Sequence, residues 1–199
     1  LKVHELLPEL ERLPGKLQAT ATGRVAVTLH LERGVERIEA VLTKLDARLD
    51  QEDALPGETP GSIGLANRGA IRLVYDGQRV RVVQLRLKGS GGQLAIAGWL
   101  SPKEYGLTVD GQLELGAYAW LAAEYLDGLR GRAWVKGTLR GPVDKPRWNS
   151  RVWLAGVVAL PVERKVPIRI ATAQLQLTDR SLRVERARVS DKLVQVNEG

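Results

Sequence analysis

The chain has 199 residues, of which 44% are hydrophobic and 27% charged, and 30 Lys and Arg against 23 Asp and Glu give a formal net charge of +7. These proportions are typical of folded globular proteins and argue against a disordered chain. The absence of cysteine excludes disulfide frameworks, zinc fingers and cysteine nucleophiles, and two histidines are too few for a poly-histidine metal site.

Methionine is also absent, even at position 1, so we expect the chain to be a segment of a longer protein. The longest apolar stretches, 116–123 and 154–161, are far shorter than the roughly 18–20 residues of a membrane-spanning helix. The first ten residues lack the basic region and apolar core of a signal peptide. Targeting signals therefore give no localisation.

The N-terminal third contains one predicted helix, two predicted strands and a long loop. Residues 1–15 are predicted as a short helix that ends at Gly15, and an alternating strand follows over 16–31. Residues 35–49 fit both helical spacing and alternation, and the Arg33-Gly34 turn before them favours a strand. Residues 51–66 are rich in Pro and Gly and begin with acidic residues, which predicts a long loop.

From residue 68 onward the dominant pattern is alternation of apolar and polar residues, which is typical of half-buried β-strands. Residues 107–115 (LTVDGQLEL) show it most clearly, and 94–100 and 132–140 follow the same rule. Asp76-Gly77 lies between two such runs and predicts a tight hairpin turn. The sequence therefore predicts an all-β fold built as an antiparallel meander, whose further alternating runs cover 68–75, 79–88, 148–157, 168–178, 182–189 and 193–197.

Two features suggest an internal repeat. A second helix is predicted over 117–129, and like the first it is followed by a glycine and an alternating strand. Residues 73–87 and 175–189 match at an offset of 102, including one extra residue that shifts the alternation after Val82 and after Val184. We therefore expect a first repeat over 16–116, which contains the 51–66 loop, and a second, incomplete repeat over 117–199.

The stretch from Leu129 to Gly156 (LRGRAWVKGTLRGPVDKPRWNSRVWLAG) contains L-x-G, an alternating strand, G-T-L-x-G-x-x-x-x-P and a second alternating strand. With the preceding LELGAYAWLAAEYLDG, it resembles the repeat of the TamB/AsmA-like family of Gram-negative envelope proteins. The resemblance implies an elongated antiparallel β-sheet, curved into a taco-like open groove, with short helices between groups of strands.

The resemblance also implies a function and a location. Proteins of this family are anchored in the inner membrane, span the periplasm and move phospholipids toward the outer membrane. Some work with an outer-membrane barrel of the BamA type, which this chain would reach only through parts outside the sequence given. The expected partners are therefore phospholipid acyl chains and, indirectly, such a barrel.

A sheet that carries lipid needs one continuous apolar face, because acyl chains are held by buried area at about 0.8 kcal/mol per CH₂ rather than by specific contacts. The apolar phase of the predicted strands supplies an aliphatic lining. The expected groove-lining residues are Leu73, Val82, Leu94, Ile96, Leu107, Val109, Leu113, Leu115, Val135, Leu139, Val152, Leu154, Leu175 and Val184.

Other interpretations of the same pattern stay open. An alternating apolar face also forms the closed core of a sandwich or barrel, so the chain could be a periplasmic scaffold that aids outer-membrane protein insertion, or a generic β-repeat binding module. The basic residues are spread over several strands, mostly opposite the apolar phase, which indicates a solvated outer face or lipid-headgroup contact at a groove rim rather than nucleic-acid binding. Trp99, Trp134 and Trp153 also fall on that outer phase.

The sequence offers little for catalysis. It contains no G-x-S-x-G, no H-E-x-x-H and no phosphate-binding glycine loop before a helix. His4 and His30 fit structural or surface roles, and the Glu52-Asp53 pair lies in the predicted loop. We therefore expect a protein that is not an enzyme and that uses no cofactor or metal.

Overall fold

The computed structural model of the chain describes residues 16–30, 34–51, 61–163 and 166–189. Within these ranges it contains eleven β-strands and one short 3₁₀ helix at Leu115–Ala122. The strands are β1 (Lys16–His30), β2 (Gly34–Asp50), β3 (Ser62–Asn67), β4 (Ile71–Tyr75), β5 (Val80–Gly89), β6 (Gly92–Leu100), β7 (Glu104–Glu114), β8 (Leu126–Pro142), β9 (Arg147–Pro161), β10 (Ile168–Thr178) and β11 (Leu182–Val189). The all-β prediction is confirmed.

All eleven strands belong to one antiparallel sheet, in the order β1-β2-β3-β5-β6-β7-β8-β9-β10-β11. β3 and β4 share one position in this order, because β3 pairs with the end of β2 and β4 with its middle, and both then pair with β5. From β5 onward each strand pairs with the next one in the chain, as a meander requires. β1 and β11 form the two edges of the described sheet.

Several local predictions are confirmed. The ambiguous segment 35–49 lies within β2, where alternation and pairing with β1 prevail over the helical spacing. The hairpin at Asp76-Gly77 connects β4 and β5, with Gly77 at a φ of 87°. The Asp76 carboxylate accepts hydrogen bonds from the backbone N–H groups of Gln78 and Arg79, at 3.1 and 2.8 Å. The side chain of Asp76 therefore stabilises this turn.

Two local predictions are wrong. The loop predicted over 51–66 contains β3, because pairing with β2 and β5 provides hydrogen-bond partners that the weak alternation of Ser62–Asn67 did not reveal. The helix predicted over 117–129 is a 3₁₀ helix at Leu115–Ala122, and residues 126–129 belong to β8, where they pair with β9. The helix predicted within 1–15, the strand over 193–197 and the loop residues 52–60 lie outside the described residues.

The two predicted shifts of alternation are real. The pairing of β5 with β6 skips two residues of β5 between Val82 and Leu85, and the pairing of β11 with β10 skips one residue after Val184. Both are β-bulges, which return the following apolar residues to the same face of the sheet. The predicted boundary between the repeats, at residues 116 and 117, falls inside the 3₁₀ helix, and the sheet continues past it through the pairing of β7 with β8.

Candidate functional site

The strand register collects thirteen of the fourteen predicted lining residues on one face of the sheet, because directly paired residues in antiparallel strands point to the same side. The exception is Leu115, which begins the 3₁₀ helix instead of continuing β7. One cross-strand row runs through six consecutive strands and contains Leu94, Gly111, Val135, Val152, Leu175 and Val184. Another row on the same face, beyond the one that contains Ile96 and Val109, contains Leu73, Val82, Gly98, Leu107 and Leu139.

We call this surface the apolar face. It extends beyond the predicted residues into β1 and β2, where Val25 pairs with Ala40 and Ala40 with Leu73. The cross-strand rows that pass through the predicted lining residues contain no charged side chain among the described residues. Leu85 and Leu87 also belong to it, because the bulge in β5 returns them to the side of Val82.

The polar side chains on the apolar face make internal hydrogen bonds. Ser150 is only 2% exposed and accepts a hydrogen bond of 2.8 Å from Nε1 of Trp148. Asn67 accepts a hydrogen bond of 2.8 Å from the backbone N–H of Leu45 through Oδ1 and donates to the carbonyl of Thr43 through Nδ2. The apolar face therefore presents few polar groups that need water.

The apolar face is more buried than the other side of the sheet, without being sealed. All seven buried hydrophobic residues of the described chain lie on it: Ile63, Ile71, Val82, Tyr105, Ala133, Val157 and Ala173. Most of the other predicted lining residues are only half-buried. Val184 is 55% exposed because β11 is an edge strand.

Large and small residues alternate across the apolar face around β7. Leu107 pairs with Gly98, Val109 with Gly137, and Leu113 with Gly92, while Gly111 lies between Leu94 and Val135. Interiors of curved sheets use such alternation, because side chains on a concave side converge and need space. The apolar face therefore has the residue pattern of the concave side of a curved sheet.

The described strands leave this face with open edges. Among the described strands, the two edge strands, β1 and β11, do not pair with each other, so the described sheet is open at both edges. Ten strand positions with nine spacings of about 4.8 Å give the apolar face a length of about 43 Å across the strands.

The 3₁₀ helix packs against the strand ends on one side of the sheet. A β-carbon on Gly91, in the turn between β5 and β6, would lie 2.6 Å from Oη of Tyr118 and 2.7 Å from Cγ2 of Ile63, so the helix lies close to the apolar face there. Trp120 similarly lies against Gly61, and its Nε1 is buried without a hydrogen-bond partner among the described residues. Burial raises the pKa of the Tyr118 hydroxyl above its ordinary value of 10.0.

The opposite side of the sheet, which we call the polar face, carries the charged residues and three tryptophans. Trp134 pairs with Trp153, and Trp99 lies beneath the guanidinium of Arg79, 4.3 Å from the ring centre. The prediction that these three tryptophans lie opposite the aliphatic set is confirmed. The salt bridge from Arg132 to Glu114, at 3.6 Å, is exposed on this face.

The described residues hold no group of three or more His, Cys, Asp or Glu side chains arranged to bind a metal ion. No helix in the same part of the chain is both long and apolar enough to cross a membrane. His4 and the Glu52-Asp53 pair lie outside the described residues. Comparisons with protein-family models, curated protein sequences and solved structures found no match. The family resemblance stays a prediction.

Proposed function

We propose that the chain is a non-enzymatic carrier of phospholipid acyl chains, a segment of a protein that moves lipids across the periplasm of a Gram-negative envelope and contributes to outer-membrane biogenesis. The observation that supports this most is the continuous, charge-free apolar face on a single sheet whose edge strands do not pair with each other. The resemblance of residues 129–156 to TamB/AsmA-like repeats supplies the periplasmic location and the phospholipid cargo. A BamA-type barrel would be reached through other parts of the protein.

The dimensions of the apolar face suit acyl chains. A bilayer core is about 30 Å thick, so one acyl chain extends over about 15 Å. The face, about 43 Å long across the strands, could therefore contact several acyl groups along its length. Each CH₂ transferred from water adds about 0.8 kcal/mol regardless of its position. A lipid could then slide along the face with little change in energy, which a transport path requires.

Photo-crosslinking tests the proposal on one strand. A photoreactive residue is introduced singly at Leu107, Val109 or Leu113, on the apolar face of β7, and at the matched polar-face positions Thr108, Asp110 and Gln112. The variants are expressed in a Gram-negative host, membranes are removed by centrifugation, and adducts in the soluble fraction are identified by mass spectrometry. We expect phospholipid adducts at the first three positions and none at the controls.

The opposite result has a definite meaning. If the apolar-face positions give only intramolecular protein crosslinks, the face is a closed core and cannot carry lipid. The interpretation as a scaffold that aids outer-membrane protein insertion would then replace the transport proposal.

A further inference from the structure

The polar face of β8 to β11 combines adjacent tryptophans with a high density of positive charge. Trp134 and Trp153 pair directly and share a row with Gln174 and Arg186. Trp134 is 37% exposed, and Trp153 is half-buried. The two indoles lie beside a surface depression of about 490 Å³ that Arg186 and Arg188 also line.

Eight basic residues surround these tryptophans on the same face, and we call them together the basic patch. They are Arg132, Lys136, Arg140, Arg147, Arg151, Arg183, Arg186 and Arg188. Salt bridges within the described residues connect only two of them to acidic groups: Arg132 to Glu114 at 3.6 Å, and Lys136 to Asp110 at 4.0 Å. The other six basic side chains have no carboxylate within salt-bridge distance in the described part of the chain.

Two cross-strand pairs in the basic patch place like charges directly opposite each other. Lys136 pairs with Arg151, and Arg140 pairs with Arg147. Like charges opposite each other destabilise a sheet, whereas opposite charges at the same positions would stabilise it. An anionic partner bound to this surface would reduce the repulsion between the paired basic side chains. The arrangement therefore favours binding of an anionic partner.

We propose that the basic patch docks this side of the sheet on the surface of a bilayer that contains anionic phospholipid. The charged residues lie on β8, β9 and β11 and so span the width of four strands, about 14 Å, and they extend over about 26 Å along β8 from Arg132 to Arg140. They form a broad area rather than a narrow track. A broad area fits a plane of headgroups better than the backbone of a nucleic acid. Tryptophan is also the residue that membrane–water interfaces favour, because the indole is apolar with one polar N–H.

This docking surface is independent of the apolar face, because the two lie on opposite sides of the sheet. If the transport proposal is also correct, the docked protein would hold its apolar face away from the headgroups. Each proposal can therefore be contradicted without affecting the other. The crosslinking experiment above tests β7 of the apolar face, and the experiment below tests β11 of the polar face.

The test is sedimentation of the purified chain with vesicles of phosphatidylcholine alone or with phosphatidylglycerol added. We expect binding to the anionic vesicles at low salt, little binding to the neutral ones, and loss of binding at high salt. The triple variant Arg183→Glu/Arg186→Glu/Arg188→Glu should weaken partitioning to anionic vesicles by about tenfold or more. All three positions are exposed on an edge strand, so the variant should fold, which circular dichroism checks.

The matched control is Arg24→Glu/Arg68→Glu/Lys103→Glu, which changes the net charge equally at exposed positions outside the basic patch. We expect it to bind within about twofold of the original chain, because the attraction of each cation falls off within a Debye length. Trp134→Ala/Trp153→Ala should also reduce vesicle binding. Equal loss in both triple variants, or no binding to anionic vesicles at all, would overturn the proposal. So would binding to a single-stranded oligonucleotide with the same patch dependence and no binding to vesicles.

Discussion

The indole of Trp99 lies directly over the backbone of Gly106, on the neighbouring strand of the polar face. A β-carbon on Gly106 would come within 2.7 Å of Cζ2 of Trp99, and closer still to other ring atoms. The guanidinium of Arg79 lies over the same indole, 4.3 Å from its centre. Gly106 therefore leaves the space that Trp99 occupies, and Trp99 in turn supports Arg79.

Replacing Gly106 with alanine should displace Trp99 and lower the free energy of unfolding by about 1–3 kcal/mol, the usual cost of overpacking. Urea denaturation measures this. The control is Gly64→Ala, because a β-carbon there meets nothing within 4 Å, and alanine reduces the entropy of the unfolded chain. A Gly106→Ala variant as stable as the Gly64→Ala variant would contradict the prediction.

The hydrogen bond from Trp148 to Ser150 on the apolar face should be measurable. Ser150→Ala removes the acceptor of the Nε1 proton at a site that is 2% exposed, so we expect a loss of about 1–3 kcal/mol in unfolding free energy. The same substitution in a Trp148→Phe background should cost less, because the donor is already gone. Equal costs in the two backgrounds would mean that the hydrogen bond contributes nothing.

The hairpin at Asp76 should make stability depend on pH. The backbone N–H groups of Arg79 and Gln78 stabilise the Asp76 carboxylate and hold its pKa below the ordinary value of 3.8. Its contribution is therefore present above pH 3.8 and is lost as the pH falls through the lower pKa of the folded state. Asp76→Asn keeps an oxygen acceptor but no longer titrates, so it should lose less stability than the original chain between pH 7 and about pH 3.

The comparison uses urea midpoints at both pH values. Asp127→Asn serves as the control, since it removes the same charge at an exposed position on β8 that makes no turn hydrogen bond. If the Asp76→Asn variant lost as much stability between the two pH values as the Asp127→Asn variant, the pH dependence would not come from the Asp76 turn.

The contact between Trp120 and Gly61 should hold the 3₁₀ helix against the sheet. A β-carbon on Gly61 would collide with the Trp120 ring, so Gly61→Ala should detach the helix locally without unfolding the strands. Incorporation of 5-fluorotryptophan gives one fluorine signal for each of the five tryptophans, and Trp120→Phe assigns the relevant one. We expect Gly61→Ala to move the Trp120 signal and leave the Trp134 signal in place. Unchanged positions for both would show that the helix does not depend on this contact.

The sequence pattern predicted the strands where local alternation and pairing agree. It placed thirteen lining residues on one face because alternation alone determines the side of a strand, and the bulges after Val82 and Val184 appeared as shifts in that pattern. It failed where long-range pairing decides the outcome. β3 has a weak pattern of its own, and residues 126–129 look helical but pair with β9.

Features that depend on which strands are neighbours also could not be predicted from the sequence pattern. The exposure of Val184 follows from its place on an edge strand, which periodicity does not show. The like-charge pairs of Lys136 with Arg151 and of Arg140 with Arg147 require the register of β8 against β9, since each residue alone resembles an ordinary solvated side chain.

The nearest-neighbour pairing of the strands also determines how this sheet can fold. From β5 onward every strand pairs with the strand that precedes it in the chain, and β1 does not pair with β11. The entropy of closing a loop grows with its length, so each new hairpin closes only a short loop and no step has to bring distant parts of the chain together. The sheet can therefore assemble strand by strand in chain order, and its folding rate should depend on the slowest hairpin rather than on the total number of strands.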